Sequence, residues 1–247
     1  MSKQKKTGIL ILLTLVVAVS TVVATMHGRG QDTSTAQDKR TPTQREKLER
    51  RQKEHGKLFD GHHGPKLRDL AAQQQGDVFV WEEEPYVVRL PDKEASNIPF
   101  IQFAGCNADA IAVGTLTSET PHLTPAENFI FTDYEMTVEE VIKANAASTI
   151  QAGKIVITRE GGTLRQGGRT FHADVEGFKP FALGNRYLLF LRYIPATDAY
   201  LAYANGSFRL DGDKIVALGK PPGYQSEDSA TFINEARAVA SSAQCAK

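Results

Sequence analysis

Two cysteines and six histidines are the scarce reactive side chains of this 247-residue chain. Cys106 stands in FAGCNADAIAVGTL, just ahead of an alternating apolar stretch, and Cys245 lies near the C-terminus. A thiol nucleophile needs a base within reach. Only His122 and His172 fall in the part of the chain that reads as a β domain, and neither sits in a recognisable catalytic motif. An even cysteine count in an oxidising compartment favours a disulfide instead. The expectation is a Cys106–Cys245 bond, with two inert thiols as the alternative. A hydrolase using His172 and an acidic residue is the competing reading of the histidines.

The cluster His55, Asp60, His62, His63 in HGKLFDGHHG is the best metal candidate, since imidazole and carboxylate suit zinc or copper. Its spacing matches no established ligand pattern, so the expectation is no metal and exposed linker histidines. Asp133, Glu135, Glu139 and Glu140 place several carboxylates close together, and read as a solvated acidic edge of a strand. Gly161-Gly162 and Gly167-Gly168 are turn glycines, because neither pair lies in a phosphate-binding fingerprint. No G-x-S-x-G or H-E-x-x-H signature is present, and nothing implies a cofactor.

The compartment follows from the N-terminus. Lys3, Lys5 and Lys6 precede an uncharged run from Gly8 to Met26 rich in Ile, Leu, Val and Ala. That is the pattern of a secretion signal, and it is also just long enough to span a bilayer as a helix. Val22-Val23-Ala24 offers a passable cleavage site, so a cleaved signal and a membrane tether through 8–26 both stand. Either way the remainder is exported, periplasmic or extracellular. Lys+Arg and Asp+Glu are both 29, which leaves no global charge to recruit nucleic acid.

Three segments follow. Residues 1–26 are the signal peptide or anchor, and 27–76 are a polar helical or disordered linker with few apolar anchors. Residues 77–247 carry short apolar runs broken by turns. Val78 to Trp81 and Tyr86 to Leu90 read as strands, as do Ala110 to Leu116, Phe129 to Val138 and Lys154 to Thr158. In Ala110 to Leu116, Ile111 and Val113 share one face and the small residues the other, as in a strand covered on both sides. The glycine pairs frame a hairpin, NRYLLFLRY is a buried strand, and AYLAYANGSFRL reads as two strands joined at Asn205-Gly206. Ser226 to Ala240 is an amphipathic helix with Phe232, Ile233, Ala236 and Val239 on its apolar stripe. The fold class is mainly β, a small OB-like antiparallel barrel with a C-terminal helix.

CNADAIAVGTL at Cys106 to Leu116, FTDYEMTVEEVIK at Phe131 to Lys143 and GNRYLLFL at Gly184 to Leu191 give this chain a family resemblance. In their order it resembles the netrin-like modules, which include the tissue inhibitors of metalloproteinases, and uncharacterised bacterial exported proteins of similar pattern. The resemblance covers about half the chain and implies an OB-type five-stranded barrel with a flanking helix. It does not bring metalloproteinase inhibition with it. Those inhibitors use the free amino group of an N-terminal cysteine, whereas Cys106 lies far inside this chain.

The functional expectation is a non-catalytic binding protein of the cell envelope, whose partner is an unknown protein or an envelope polymer. Thr117 to Asn128 and Arg159 to Val175 are its expected contact loops. The alternatives are the His172 hydrolase and a purely structural envelope component. A cluster of His172 with carboxylates in a deep pocket would favour the enzyme, and an exposed aromatic patch would favour binding.

Overall fold

A capped helix opens the described chain. The structure, a computed structural model, describes residues 41–82, 99–144, 150, 153–221 and 228–242. The expected signal or anchor at 8–26 and the expected strand Tyr86 to Leu90 lie outside the described residues. Helix α1 (Pro42–Gly56) begins with a capping box, in which Thr41 accepts from the Gln44 backbone and Gln44 from the Thr41 backbone. Pro42 fits the first turn, where no amide donor is needed. A single 3₁₀ turn, Lys57–Phe59, follows, and then α2 (Leu67–Gln73).

This region corrects the expected exposed linker. Phe59 is fully buried and stacks on Phe131 at 5.3 Å, while Leu67 and Ala71 enter the main core. The Leu67 amide donates to the Glu127 carbonyl at 2.8 Å. The segment has too few apolar residues for a helical stripe, but Phe59, Leu67 and Ala71 each reach the body separately. Composition averaged over the segment hides such isolated anchors.

The rest is mainly β. Strand β1 (Val78–Glu82) precedes an unexpected helix, α3 (Phe100–Asn107), which buries Phe100, Ile101 and Ala104. Then come β2 (Ala110–Leu123), β3 (Ile130–Lys143), β4 (Lys154–Glu160), β5 (Gly162–Gln166), β6 (Arg169–Val175), β7 (Arg186–Ile194), β8 (Ala199–Asp211), β9 (Lys214–Ala217) and α4 (Ser229–Ala240). One sheet has the order β4-β3-β2-β7-β8-β9, and β4 also pairs in parallel with β8 through Ile157–Tyr200 and Thr158–Leu201. Its pairings therefore run from β4 round to β8 and back. The second sheet, β1-β6-β5, has a parallel β1–β6 pair.

Alternation sorts the core into two. Ala110, Ala112, Ile130, Tyr134, Ile157, Leu189 and Tyr200 pack on one side of the large sheet. Ile111, Val113, Phe131, Phe190 and Phe208 pack on the other, against α3 and α4. That agrees with the two covered faces read from Ala110 to Leu116. Asp228 caps α4 by accepting from the Thr231 amide at 2.8 Å, and Phe232, Ile233 and Ala236 form its buried face.

Two turn assignments need correction. Asn205-Gly206 makes no hairpin: neither residue has a positive φ, which a two-residue primed turn demands. Instead β8 is one strand whose partners jump from Ser207 to Ala202 as β7 advances from Leu189 to Leu191. The extra residues form a bulge. The expected loop Thr117 to Asn128 is half strand, since β2 continues to Leu123. By contrast, Gly167-Gly168 do turn the β5–β6 hairpin, with φ of 59° and 75°.

Candidate functional site

The sheet β1-β6-β5 carries two exposed aromatics on its outer face. Alternation buries Val78 and sends Phe79 and Trp81 to solvent, 67 % and 61 % exposed. Register places Phe79 beside His172 and Trp81 beside Asp174. The His172 ring stacks on Phe79 at 4.7 Å, and its Nδ1 lies 3.1 Å from the Thr163 hydroxyl. Its Nε2 is 3.8 Å from Asp77 Oδ2, beyond hydrogen-bond length. His172 is 28 % exposed on an open sheet face, with a hydroxyl on one side and a solvated carboxylate on the other. This face can stack on a ligand and accept or donate hydrogen bonds at its margin. The sequence marked VFVW as a strand but not its outward aromatics; the signal was the two-residue spacing of Phe79 and Trp81.

The expected contact loops do come together. Leu123 and Glu127 from the first, with Gln166, Arg169 and Phe171 from the second, line a cavity of about 300 Å³ beside α2. Arg159 does not belong to a loop. It ends β4 fully enclosed, donating to the carbonyls of Glu160, Phe178 and Lys179 with its guanidinium 3.8 Å over the Phe178 ring. Those three carbonyls and the aromatic face are what let a cation sit at 3 % exposure.

A second constellation was not foreseen. His55, in the last turn of α1, is fully buried, with Nδ1 2.7 Å from Asp133 Oδ1 and Nε2 2.8 Å from the Thr197 hydroxyl. His122 from β2 approaches the other oxygen, Nε2 to Oδ2, at 3.5 Å without completing a hydrogen bond. Burial opposes ionisation of Asp133, yet the His122 and His55 imidazoles outweigh it and hold the carboxyl at about 2. One signal was legible: the alternation of β3 puts Asp133 on the same face as Phe131, an apolar neighbour unsuited to a solvated edge.

The metal candidate disperses. His55 is taken up by Asp133, His62 is buried and stacked on Phe129 at 3.9 Å, and Asp60 and His63 are exposed. The histidines at 55 and 62 are thus core residues, which corrects their reading as exposed. Among the described residues no group of three or more His, Cys, Asp or Glu has metal-holding geometry. The other carboxylates of the supposed acidic edge are paired. Glu139 accepts from Arg186 and Thr115, and Glu140 holds Arg237 of α4 through both oxygens at 2.6 and 2.7 Å. The Arg237 hydrogen bond keeps the Glu140 carboxyl below its ordinary value.

Cys106 ends α3 and is not a free thiol. Its expected partner, Cys245, lies outside the described residues. The flanking Gly105 sits against α4: a Cβ there would meet Val239 Cγ1 at 2.5 Å. Cys106 is therefore close to the end of α4, from which Cys245 follows within five residues. Comparison of the chain with protein-family models and with curated proteins finds no match.

Proposed function

We propose that this is an exported binding protein of the cell envelope, which holds an extended polymer on the outer face of its β1-β6-β5 sheet. The observation that carries this is the adjacent exposure of Phe79 and Trp81, with His172 stacked at their side. Large aromatics left in water on neighbouring positions mark an interaction face rather than scattered surface. Flat rings stack on the apolar faces of sugar rings, and the hydroxyl and carboxylate rim of Thr163, Asp77 and Asp174 suits their hydroxyl groups. The occupant is thus a glycan strand. We read the curled large sheet as an OB-type barrel of the netrin-like kind, because β2, β3, β4, β8 and β7 close through the parallel β4–β8 pair. The segment 8–26 delivers the chain across the membrane, as signal or as tether.

Trp81 is the single tryptophan of the chain, so intrinsic fluorescence reports this face directly. Soluble peptidoglycan glycan fragments should shift Trp81 emission saturably, and Phe79→Ala should weaken the response at least tenfold. A flat titration with a folded protein would refute the glycan. A pull-down that instead recovers one stoichiometric protein through the same face would replace the occupant and keep the surface. The hydrolase reading predicts glycan cleavage lost in His172→Ala, and the same fragments test it.

A further inference from the structure

His55 bridges a carboxylate and a hydroxyl. Its Nδ1 lies 2.7 Å from Asp133 Oδ1 and its Nε2 lies 2.8 Å from the Thr197 hydroxyl. Asp133 is ionised at neutral pH, and an ionised carboxylate only accepts hydrogen bonds. The neutral imidazole therefore carries its proton on Nδ1, and its Nε2 accepts from the threonine O–H. Hydroxyl, base and base-orienting carboxylate stand in the order of a nucleophilic triad, which is recognised by geometry and roles rather than by sequence position. The carboxylate comes from β3, the imidazole from the last turn of α1 and the hydroxyl from the β7–β8 connection.

Burial follows the same order. Asp133 and His55 are enclosed, whereas Thr197 is half-buried and lines a cleft of about 220 Å³. The next residue, Asp198, has a φ of 51°, in the left-handed region where backbone strain clusters at functional turns. Lys47, Arg50 and Arg51 of α1 wall the same cleft, against the single carboxylate of Asp198. That carboxylate already accepts from the Tyr193 hydroxyl at 3.0 Å. Arg51 Nε is a buried donor with no hydrogen-bond partner.

We propose that Thr197, His55 and Asp133 form an esterase site, whose substrate is a short acyl ester that carries a negative charge. Thr197 Oγ1 attacks the ester carbonyl carbon, and its proton passes to His55 Nε2. The oxyanion that forms is stabilised by the cationic wall, with Arg51 as a donor. The bond to the alcohol oxygen then breaks, and the departing alcohol takes the proton from His55. Water, deprotonated by His55, attacks the acyl-threonine, and the proton returns to Thr197 as the acid departs. Asp133 is the positioning residue, since it holds the imidazole in the tautomer that accepts. This activity goes beyond binding at the aromatic face and does not depend on it.

The full chain is assayed with 4-nitrophenyl hexanoate and the 4-nitrophenyl monoester of adipic acid, which differ by one carboxylate. Nitrophenolate release should favour the charged ester by about tenfold or more in kcat/KM. Acid-quenched protein should carry one adipoyl group, mapped to Thr197 by peptide mass. Thr197→Val, which removes only the hydroxyl function, should lower release by about a hundredfold or more with an unchanged melting curve, and Thr197→Ser should retain it. Arg51→Gln should reduce the preference for the charged ester. Asp133→Asn, assayed below its melting transition, should lower kcat and leave KM in place. Trp81→Ala should leave release intact, which separates this site from the glycan face. Release equal in the parent and Thr197→Val, or release from neither ester, overturns the proposal. Equal turnover of the two esters, or an adipoyl group found on Lys47 instead of Thr197, overturns it as well.

Discussion

Asp133 joins three segments of chain through one carboxylate. It receives His55 from α1 and faces His122 from β2, and His55 in turn reaches Thr197 in the β7–β8 connection. Its folded value of about 2 lies below the ordinary 3.8, so it contributes stability that is present above roughly pH 4 and lost as pH falls toward 2. The difference corresponds to roughly 2–3 kcal/mol for this buried group. Asp133→Asn should therefore cost about 3 kcal/mol at neutral pH and flatten the acid limb of a stability–pH curve measured by denaturant unfolding. The shallower limb that remains belongs to Glu54, Glu139, Glu140 and Asp228, which are also lowered. An acid limb as steep in the variant as in the parent would show that Asp133 is not the group responsible. The residue was visible in the sequence only as one carboxylate among four. Its partners lie 78 and 11 positions away, and no local spacing predicts that meeting.

Elements were more legible than their limits. The alternation of Ala110 to Leu116 and of β3, the hairpin at Gly167-Gly168 and the stripe of α4 each carry a local period, which the chain keeps once folded. Helix α3 was missed because FIQFAGCN is apolar nearly all round, a pattern that a short buried helix and a strand share. The polar α1–α2 region is helical, one of the two forms expected of it, but its attachment to the body was hidden because single anchors such as Phe59 leave no period. Removal of residues 1–75 takes away Phe59, Leu67, Ala71 and His55, uncovering Phe131 and stranding Asp133. That truncated chain should lose cooperative melting or melt far lower, whereas one beginning at Thr41 should melt like the parent, as followed by circular dichroism. At the other end, Phe232 is 2 % exposed and lies 4.7 Å from the Phe208 ring. Phe232→Ala should cost on the order of 3–4 kcal/mol in urea unfolding.

The whole molecule is held by contacts that join distant parts of the chain, and we propose that a Cys106–Cys245 bond is one of them. Closing a loop of well over a hundred residues is worth about 5 kcal/mol in the chain-entropy model. Cys106→Ser should lower the melting temperature under non-reducing conditions and leave the Trp81 fluorescence response unchanged. Thiol counting on denatured protein prepared without reductant should find none. Two free thiols per chain would refute the bond, and loss of glycan binding in a folded Cys106→Ser variant would give the residue another role.

The ring of strand pairings is only as strong as its briefest seam. β2 and β3 share a ladder from Ile111–Lys143 to Leu123–Ile130, whereas β4 meets β8 through two residue pairs. Thr158 sits at that seam with a buried hydroxyl that has no hydrogen-bond partner. A transient fluctuation that parts β4 from β8 breaks few hydrogen bonds and frees one stranded oxygen, so the ring opens there before it opens elsewhere. Amide exchange monitored by NMR should register this as faster deuteration of the amides that bridge β4 and β8 at Ile157–Tyr200 and Thr158–Leu201 than of those in the β2–β7 ladder at Ala112 and Leu189. The seam would then act as a hinge that yields while the β2–β3 ladder keeps the domain in one piece.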